Sequence, residues 1–377
     1  MPISIEYMSS GVSKNKPEFL FAFPSYEDWL EAARQELEGA DPIEKLTIKK
    51  GNLVIEPFYT SVQKQRENQL PLRASVNPYQ GARSWTNTPK ILVTDEKKAN
   101  EIALSYLNSG AEGILFECPS REIDPVLLLK QISLVDCSVS FLLSGTHHAW
   151  ITKFQQLAES DFNVTEIKGG FFWRSIPDQF ADIAQRFTSW PQFNALGIIV
   201  EPQEDPAVEI GHCLKKAAML VNESLEKNIE AQIVLDQISF SVSVGTDFFL
   251  EIAKLKSLRH LWTQVRGAYD VNSAKPLHIH VTSPVWINDK FQPHGNLIKS
   301  TTASMAAIAG GCDSITVEPE DATNETMNRM ARNVSSILRD ESHFSKVADP
   351  TAGSYYIDSL TEQLSEKAWS NFQSLMK

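Results

Sequence analysis

From about residue 90 onward, short apolar runs alternate with longer stretches in which apolar residues recur every three or four positions. The first pattern predicts buried strands and the second predicts amphipathic helices. The apolar runs, in chain order, are KILVT, EGILFE, SVSFLLS, NVTEIKG, ALGIIVEP, AQIVLDQISFSV, PLHIHVT and DSITV. Each is followed by a helical pattern, which gives eight strand–helix units. Because a helix between two strands supplies the crossover of a parallel sheet, eight units predict an α/β fold of the (β/α)₈ TIM barrel type.

The third and fourth units carry the weakest patterns of the eight. If one of them did not form, the remaining strands would make an open parallel sheet, which is the alternative architecture. One further helix, SLTEQLSEKAWSNFQSLM, follows the eighth unit.

The residues before 90 show a different pattern. The stretch FPSYEDWLEAARQELEG predicts a helix, with Ser25 able to cap its first turn and Gly39 able to end it. The stretch LTIKKGNLVIEPFYT predicts two short strands about a turn at Lys50 and Gly51. Residues 61–90 are rich in proline and predict an extended segment. The sequence therefore predicts an N-terminal helical and extended arm ahead of the barrel.

Composition narrows the classes of function. Acidic side chains outnumber basic ones by 47 to 35, so the formal net charge is −12. This balance argues against nucleic acid or an anionic membrane as the main partner. The N-terminus lacks the basic and apolar regions of a secretion signal, and no apolar run approaches the about 20 residues of a membrane-spanning helix. We expect a soluble, cytoplasmic protein.

The four cysteines, Cys118, Cys137, Cys213 and Cys312, lie far apart in apolar runs. No CxxC pair or zinc-ligand spacing occurs, so we expect buried thiols and no metal site. No strand is followed by GxGxxG or GxxxxGKS, which argues against nucleotide binding by such loops. The adjacent His147 and His148 open a helix and point in different directions, so they are poor ligands for one metal ion.

Two stretches carry polar residues at predicted strand ends. His278 and His280 lie two residues apart and share one face of a strand, with the hydroxyls of Thr282 and Ser283 beyond them. These side chains could contact a ligand inside a barrel, or could hydrogen-bond to one another there. The acidic loop EPQEDP matches no catalytic spacing; its Asp205 before a proline is typical of a helix N-cap.

Three stretches resemble the substrate-binding barrel of the methylmalonyl-CoA mutase family. They are GTDFFLEIAKLKSLRHLW, NLIKSTTASMAAIAGGCDSITVEP and RMARNVSSILRDESHFSKVADPTAGSYYIDSLTEQLSEKAW. The last is the most specific, since RxARN, ILxxES and VxDPxxGSxY follow in order. FPSYEDWLEAARQELEGAD and IEPFYT are similar to the small, or beta, subunit of the heterodimeric bacterial enzyme. The resemblance covers nearly the whole chain.

The resemblance implies a barrel that threads the pantetheine arm of a CoA ester along its axis. Small hydroxyl side chains such as Ser241, Thr282 and Ser283 are compatible with that path. It also implies a reaction that interconverts methylmalonyl-CoA and succinyl-CoA, with adenosylcobalamin held by a separate domain through a DxHxxG motif. This sequence contains no DxHxxG. We therefore expect adenosylcobalamin to belong to the family reaction without being bound by this chain alone.

The family's catalytic subunit carries a Tyr-His pair at one strand end. Aligning that strand places Ile199 and Val200 at the pair, and neither side chain can donate a hydrogen bond or transfer a proton. The resemblance therefore implies no catalytic residue here. It places His280 close to a substrate-contacting histidine of the family, which leaves His280, Thr282 and Ser283 as candidate substrate-binding residues.

Together these observations predict a small, non-catalytic subunit that pairs with a large catalytic mutase subunit. We expect residues 1–90 to form an arm that contacts this subunit, 91–345 to form the barrel, and 346–377 to lead toward a cobalamin domain absent from this sequence. One alternative is a competent acyl-CoA mutase barrel that uses a cobalamin domain on another chain. The other is a module that binds a CoA ester without turnover.

Overall fold

The chain forms two compact units, Met1–Thr60 and Ser61–Lys377. The computed structural model describes residues 25–50, 53–59, 72, 81–145, 148–271, 275–285 and 295–377. The predicted helix-opening His147 and the turn residue Gly51 lie outside these described residues.

The first unit begins with helix α1, Tyr26–Glu36. Its N-terminus is a capping box, in which the Asp28 N–H donates to Ser25 Oγ at 3.1 Å and the Ser25 N–H donates to Asp28 Oδ2 at 2.8 Å. Gly39 follows the helix with φ of +89°, a conformation that favours glycine. The predicted helix and its cap are confirmed.

Helix α2, Pro42–Leu46, and a small antiparallel hairpin complete the first unit. The hairpin pairs β1, Ile48–Lys50, with β2, Leu53–Ile55, as predicted. Trp29 stacks on Phe58 with ring centroids 4.9 Å apart.

The second unit alternates parallel strands with helices. Its strands are β3 Thr86–Asn87, β4 Lys90–Leu92, β5 Gly113–Cys118, β6 Ser138–Leu143, β7 Gly169–Trp173, β8 Phe193–Ile199, β9 Ile238–Ser243, β10 His278–Ser283 and β11 Ser314–Val317. Its helices are α3 Glu96–Asn108, α4 Pro125–Leu128, α5 His148–Asp161, α6 Phe180–Arg186, α7 Pro206–Glu226, α8 Ala231–Gln237, α9 Phe248–Ala268, α10 Gly295–Gly310, α11 Glu325–Asp340 and α12 Tyr355–Met376.

One interrupted strand closes the sheet into a barrel. β3 pairs with β11, the last strand, and β4 pairs with β5, the second. Only Thr88 and Pro89 separate β3 from β4, and Pro89 has no N–H to give to a ladder. The Thr88 N–H donates to the Ile315 carbonyl, and the Pro89 carbonyl accepts from the Leu115 N–H. The two segments therefore act as strand one of eight, which confirms the TIM barrel.

Within the second unit, Trp85 immediately precedes β3 and packs against the barrel. Its ring is buried, and its Nε1–H donates to Ser335 Oγ on α11 at 2.8 Å. The first barrel strand thus starts at Thr86, inside the range 1–90 that the sequence assigned to the arm.

The fourth strand was predicted near NVTEIKG, and it lies at the C-terminal edge of that stretch rather than within it. The strand is β7, Gly169–Trp173, which begins at the last residue of that stretch. Gly169 has φ of +136°, and a Cβ at this position would collide with the Val139 carbonyl of β6. The start of β7 is therefore determined by a glycine that allows the two backbones to approach closely. Buried aromatic side chains follow it in the strand.

The stretch AQIVLDQISFSV was predicted to be one strand, and its first half is instead helix α8. Gln237 ends this helix with its side chain buried, where Oε1 accepts from the Ala195 N–H at 3.0 Å and Nε2 donates to the Phe187 carbonyl at 3.1 Å. Short apolar runs of this kind fit a buried helix as well as a strand, so periodicity alone does not separate the two.

The final helix, α12, packs on α7 and α9. The loop before it is anchored by Asp349, whose carboxylate lies 3.0 Å from Lys256 Nζ of α9 with both residues buried. Lys256 Nζ also donates to Thr351 Oγ1 at 2.7 Å. These contacts hold the loop before the last helix against α9.

All four cysteines are buried and unpaired, as predicted. Within the described part of the chain, no helix has the length and apolar character needed to cross a membrane.

The close approach at Gly169 gives a test of the barrel. We expect Gly169→Ala to lower the free energy of unfolding by about 2–4 kcal/mol, because it combines a strained backbone with a backbone collision. Gly267→Ala is the matched control, since its Cβ would meet open space on α9; it should be neutral or stabilise by up to about 1 kcal/mol. Urea denaturation of both variants measures the difference, and equal stabilities would contradict the β7 placement.

Candidate functional site

The inner face of the barrel is identified by strand register. Ile199 of β8 pairs with Ser241 of β9, and Ser241 pairs with His280 of β10. Paired residues of neighbouring parallel strands point to the same side of the sheet. The His280 ring also lies against the ring of Phe172, which is on β7, with two strands between them in the sheet. Two side chains from non-adjacent strands meet only inside the barrel, so all four residues face the interior.

The contact between Phe172 and His280 spans the interior. Their ring centroids are 5.1 Å apart and the ring planes are tilted by 38°. Phe172 also lies over Gly197 of β8, where a Cβ would come within 2.5 Å of the Phe172 ring. Phe172 therefore fills the space that Gly197 leaves without a side chain, and its ring packs against β10 across the interior. Sequence analysis missed this residue because nothing in GGFFW tells which phenylalanine faces inward.

His280 has both ring nitrogens engaged. Its Nδ1 lies 2.9 Å from Ser314 Oγ, and its Nε2 lies 3.4 Å from Thr316 Oγ1. The Thr316 hydroxyl donates its proton to the Thr88 carbonyl at 2.5 Å, so it accepts from His280 Nε2–H. Nδ1 then accepts from the Ser314 hydroxyl, and Ser314 Oγ accepts from Nε2–H of His278 at 3.0 Å. Both imidazoles are thereby fixed as neutral tautomers within one chain of hydrogen bonds.

Burial controls the charge of these histidines. Desolvation, reinforced by His278 and Lys90, lowers the pKa of His280 to about 3. Burial also lowers the pKa of His278, against the opposing attraction of Asp313. Both imidazoles are therefore uncharged at neutral pH. Of the two interpretations left open for this pair, internal hydrogen bonding describes the observed contacts.

The strand end at β8 is apolar. Ile199 faces the interior and is partly exposed at the mouth, while Val200 is buried and donates its N–H to the Ser241 carbonyl at 3.2 Å. The Ile199 carbonyl accepts from Lys216 Nζ of α7 at 2.9 Å. The side chains here offer no donor, acceptor or acid–base group.

The two other predicted substrate-binding residues lie on opposite faces of β10. Thr282 shares the inner face with His280 and is partly exposed, in register with Ser243 and Thr316. Ser283 is fully buried and alternates to the outer face, so the structure does not bring it into the interior. Ser241 is on the inner face beside His280, compatible with a hydroxyl-lined interior.

An ion-pair network, which we call the mouth network, crosses the carboxyl-terminal end of the barrel. Lys90 Nζ lies 2.6 Å from Glu318 and 3.5 Å from Glu117, and Glu117 lies 2.6 Å from Arg174. Burial opposes the charge of Lys90, but Glu318 and Glu117 outweigh it and raise its pKa. These residues also escaped sequence analysis. Their signal was present, since Lys90, Glu117 and Glu318 are charges at the ends of otherwise apolar strands.

The acidic loop after β8 is structural where it meets α7. Asp205 caps this helix by accepting from the Ala207 N–H at 2.8 Å, with Pro206 at the first helical position. Glu201 and Glu204 are exposed. The N-cap interpretation of Asp205 is confirmed.

Comparison with known proteins identifies the family. The family model described as "Methylmalonyl-CoA mutase" matches residues 173–377, which is more than half of the chain. The chain belongs to the methylmalonyl-CoA mutase family. The resemblance found in the sequence is thus confirmed, and the match includes Ile199, Val200 and all of β10.

Among curated members of the methylmalonyl-CoA mutase family, the chain is 29% identical over 97% of its length to "Methylmalonyl-CoA mutase small subunit" of Porphyromonas gingivalis, of which it covers 65%. It is 33% identical over 49% of its length to the protein of that name from Streptomyces virginiae, covering 32% of it. It is 33% identical over 48% of its length to "Methylmalonyl-CoA mutase" of Rhizobium meliloti, covering 26% of it. The chain therefore spans less than two thirds of these relatives.

Reactions of the methylmalonyl-CoA mutase family depend on adenosylcobalamin, and the residues present here do not fit that group. The sequence has no DxHxxG, and its two inner-barrel histidines have their hydrogen-bonding nitrogens committed to Ser314 and Thr316. Within the described ranges, His, Cys, Asp and Glu form no cluster suited to a metal ion. No reaction step is therefore assigned to the cofactor in this chain.

The depressed pKa of His280 predicts a pH dependence of stability. The unfolded chain binds a proton at His280 below its ordinary pKa of 6.5, whereas the folded chain does not until about 3. Stability from this group is present above 6.5 and is lost as pH falls, at up to about 1.4 kcal/mol per pH unit. We expect denaturant unfolding of His280→Gln to show a shallower loss of stability than the unmodified protein on acidification. Parallel curves for the two proteins would contradict this burial of His280.

Proposed function

We propose that this chain is the non-catalytic small subunit of a heterodimeric, adenosylcobalamin-dependent methylmalonyl-CoA mutase. The observation that carries the proposal is the apolar pair Ile199 and Val200 at the β8 strand end. Catalytic groups of TIM barrels sit at the carboxyl ends of strands. At this end the chain supplies two hydrocarbon side chains, one partly exposed and one buried.

The crowded interior supports the same proposal. A pantetheine arm running along the barrel axis needs an open path between the strands. Phe172 and His280 are in contact across that path. Nearer the mouth, Lys90 pairs with Glu117 and Glu318, and Arg174 supplies the second positive charge that balances the two glutamates. A threaded ester would have to displace an aromatic contact and break ion pairs.

The first unit supports a role in assembly. Apolar side chains on its second helix and hairpin are exposed: Leu46 at 42%, Ile48 at 60% and Val54 at 41%. Among its described residues, Pro42 and Leu53 are the buried ones. A unit with so small a core gains stability when its apolar surface is covered by a partner. We assign that partner as the large catalytic subunit, consistent with the small-subunit names of the relatives.

A second candidate is a CoA-ester-binding module without turnover. It is favoured by the hydroxyl side chains on the inner face, among them Thr88, Ser241, Thr282 and Thr316. Such side chains are compatible with a polar ligand. The third candidate, a competent barrel supplied with cobalamin by another chain, requires acid–base groups that Ile199 and Val200 do not provide.

Co-expression with a large mutase subunit tests the proposal. We expect a 1:1 complex by size-exclusion chromatography with light scattering, and mutase turnover by the complex. Ile48 and Val54 lie on opposite faces of the hairpin, because Ile48 pairs with Ile55 and Val54 pairs with Lys49. Each is therefore replaced by lysine separately, and at least one change should weaken the complex at least about tenfold, because exposed apolar area is lost and charge is introduced at the interface.

Met219→Lys is the control for both variants. Met219 is 53% exposed on α7, so the change adds charge at an exposed apolar residue outside the first unit. It should leave the complex intact. A complex that tolerates the hairpin changes would refute the assigned surface, and two chains that never associate would refute the subunit proposal itself.

A further inference from the structure

Three charged side chains lie together between α7 and α9, apart from the interior of the barrel. Lys254 of α9 lies 3.2 Å from Glu209 of α7 and 2.7 Å from Glu251 of α9. Glu209 is 2% exposed and Lys254 is 4% exposed. One buried ammonium group therefore forms ion pairs with two carboxylates. We call these three residues the ionic clasp.

The remaining hydrogen bonds of the ionic clasp go to the backbone of two loops. Lys254 Nζ donates to the Ser243 carbonyl, at the end of β9, at 2.7 Å. Glu251 Oε1 accepts from the Gly245 N–H in the loop after β9 at 2.9 Å. Glu209 Oε2 accepts from the Gln203 N–H in the loop after β8 at 3.3 Å. Each carboxylate therefore holds a different loop at the carboxyl-terminal face of the barrel.

The ionic clasp contains one more negative charge than positive charge. Burial raises the pKa of Glu209 more than Lys254 lowers it, with Glu251 adding to the rise. Burial opposes the charge of Lys254, yet Glu251 and Glu209 together raise its pKa. Lys254 thus stays charged, and burial favours the protonated form of Glu209 on acidification.

Other ionisable groups near Glu209 do not compete for that proton. Burial raises the pKa of the Cys213 thiol on the same helix, so this group stays neutral. Lys367 of α12 interacts with Asp205, which caps the start of α7, rather than with Glu209. Lys254 and Glu251 of α9 are the charged side chains that act on Glu209.

We propose that the ionic clasp is a proton-sensitive latch, in which protonation of Glu209 releases the loop after β8 while Lys254 and Glu251 keep the loop after β9 in place. A neutral carboxyl is a weaker acceptor than a carboxylate, so the Gln203 N–H loses its charge-assisted bond. Lys254 and Glu251 remain as a matched pair. The released loop carries the exposed Glu201 and Glu204 and follows directly from Ile199 and Val200, so one proton alters one side of the barrel mouth.

Hydrogen exchange at the two loop amides tests the latch. Between about pH 8 and about pH 4.5, the ordinary glutamate pKa at which a carboxyl with a raised pKa is mostly protonated, we expect the protection factor of the Gln203 amide to fall about tenfold relative to that of Gly245. The variant Glu209→Met, which removes the acceptor, should show the low Gln203 protection already at about pH 8, with Gly245 still protected. Mass spectrometry with residue-level fragmentation resolves the two positions.

Glu223→Met is the matched control, because Glu223 is an exposed glutamate on the same helix. It should behave as the unmodified protein. Loss of protection at Gln203 and Gly245 together, or Gln203 protection independent of pH, would overturn the proposal. The comparison of the unmodified protein at two pH values decides the question even if Glu209→Met fails to fold.

Discussion

The closure of the sheet by one short strand is the constraint on which the interior depends. Residues 86–92 pair with the last strand through β3 and with the second strand through β4. Once the ring is closed, an eight-stranded barrel has an interior just wide enough to be filled by side chains. Every inward residue then competes for the same space, and a single large one decides whether a ligand can pass.

In this chain the space is taken by its own side chains. Phe172 reaches His280 across the interior, and a chain of hydroxyls and imidazoles fixes His280 from the opposite side. At the mouth, where TIM barrels carry their reactive groups, Lys90 and two glutamates are paired with one another. The imidazole of His280 and the charged side chains of the mouth network are thus engaged in structural contacts. The proposed absence of catalytic activity therefore rests on this packing as well as on Ile199 and Val200.

Periodicity predicted the architecture well because the strand–helix rhythm is local. The eight units and the caps at Ser25 and Asp205 could be predicted from neighbouring residues. The two differences from the prediction, at NVTEIKG and AQIVLDQ, arose where tertiary contacts overrule local pattern. The requirement for glycine at 169 comes from the close approach of Val139 on the neighbouring strand. The buried position of Gln237 comes from its hydrogen bond to the Phe187 carbonyl, 50 residues away in sequence. The contacts inside the barrel were beyond prediction, because they join side chains far apart in sequence.

Calorimetric titration of the isolated chain shows whether this barrel admits a CoA ester. The isolated chain is titrated with methylmalonyl-CoA and with succinyl-CoA, and mutase turnover is assayed with adenosylcobalamin present. We expect neither saturable binding nor turnover, because Phe172 and His280 are in contact across the path that the ester would take. Saturable binding at a 1:1 ratio would contradict the closed interior, and turnover by the isolated chain would contradict the non-catalytic role.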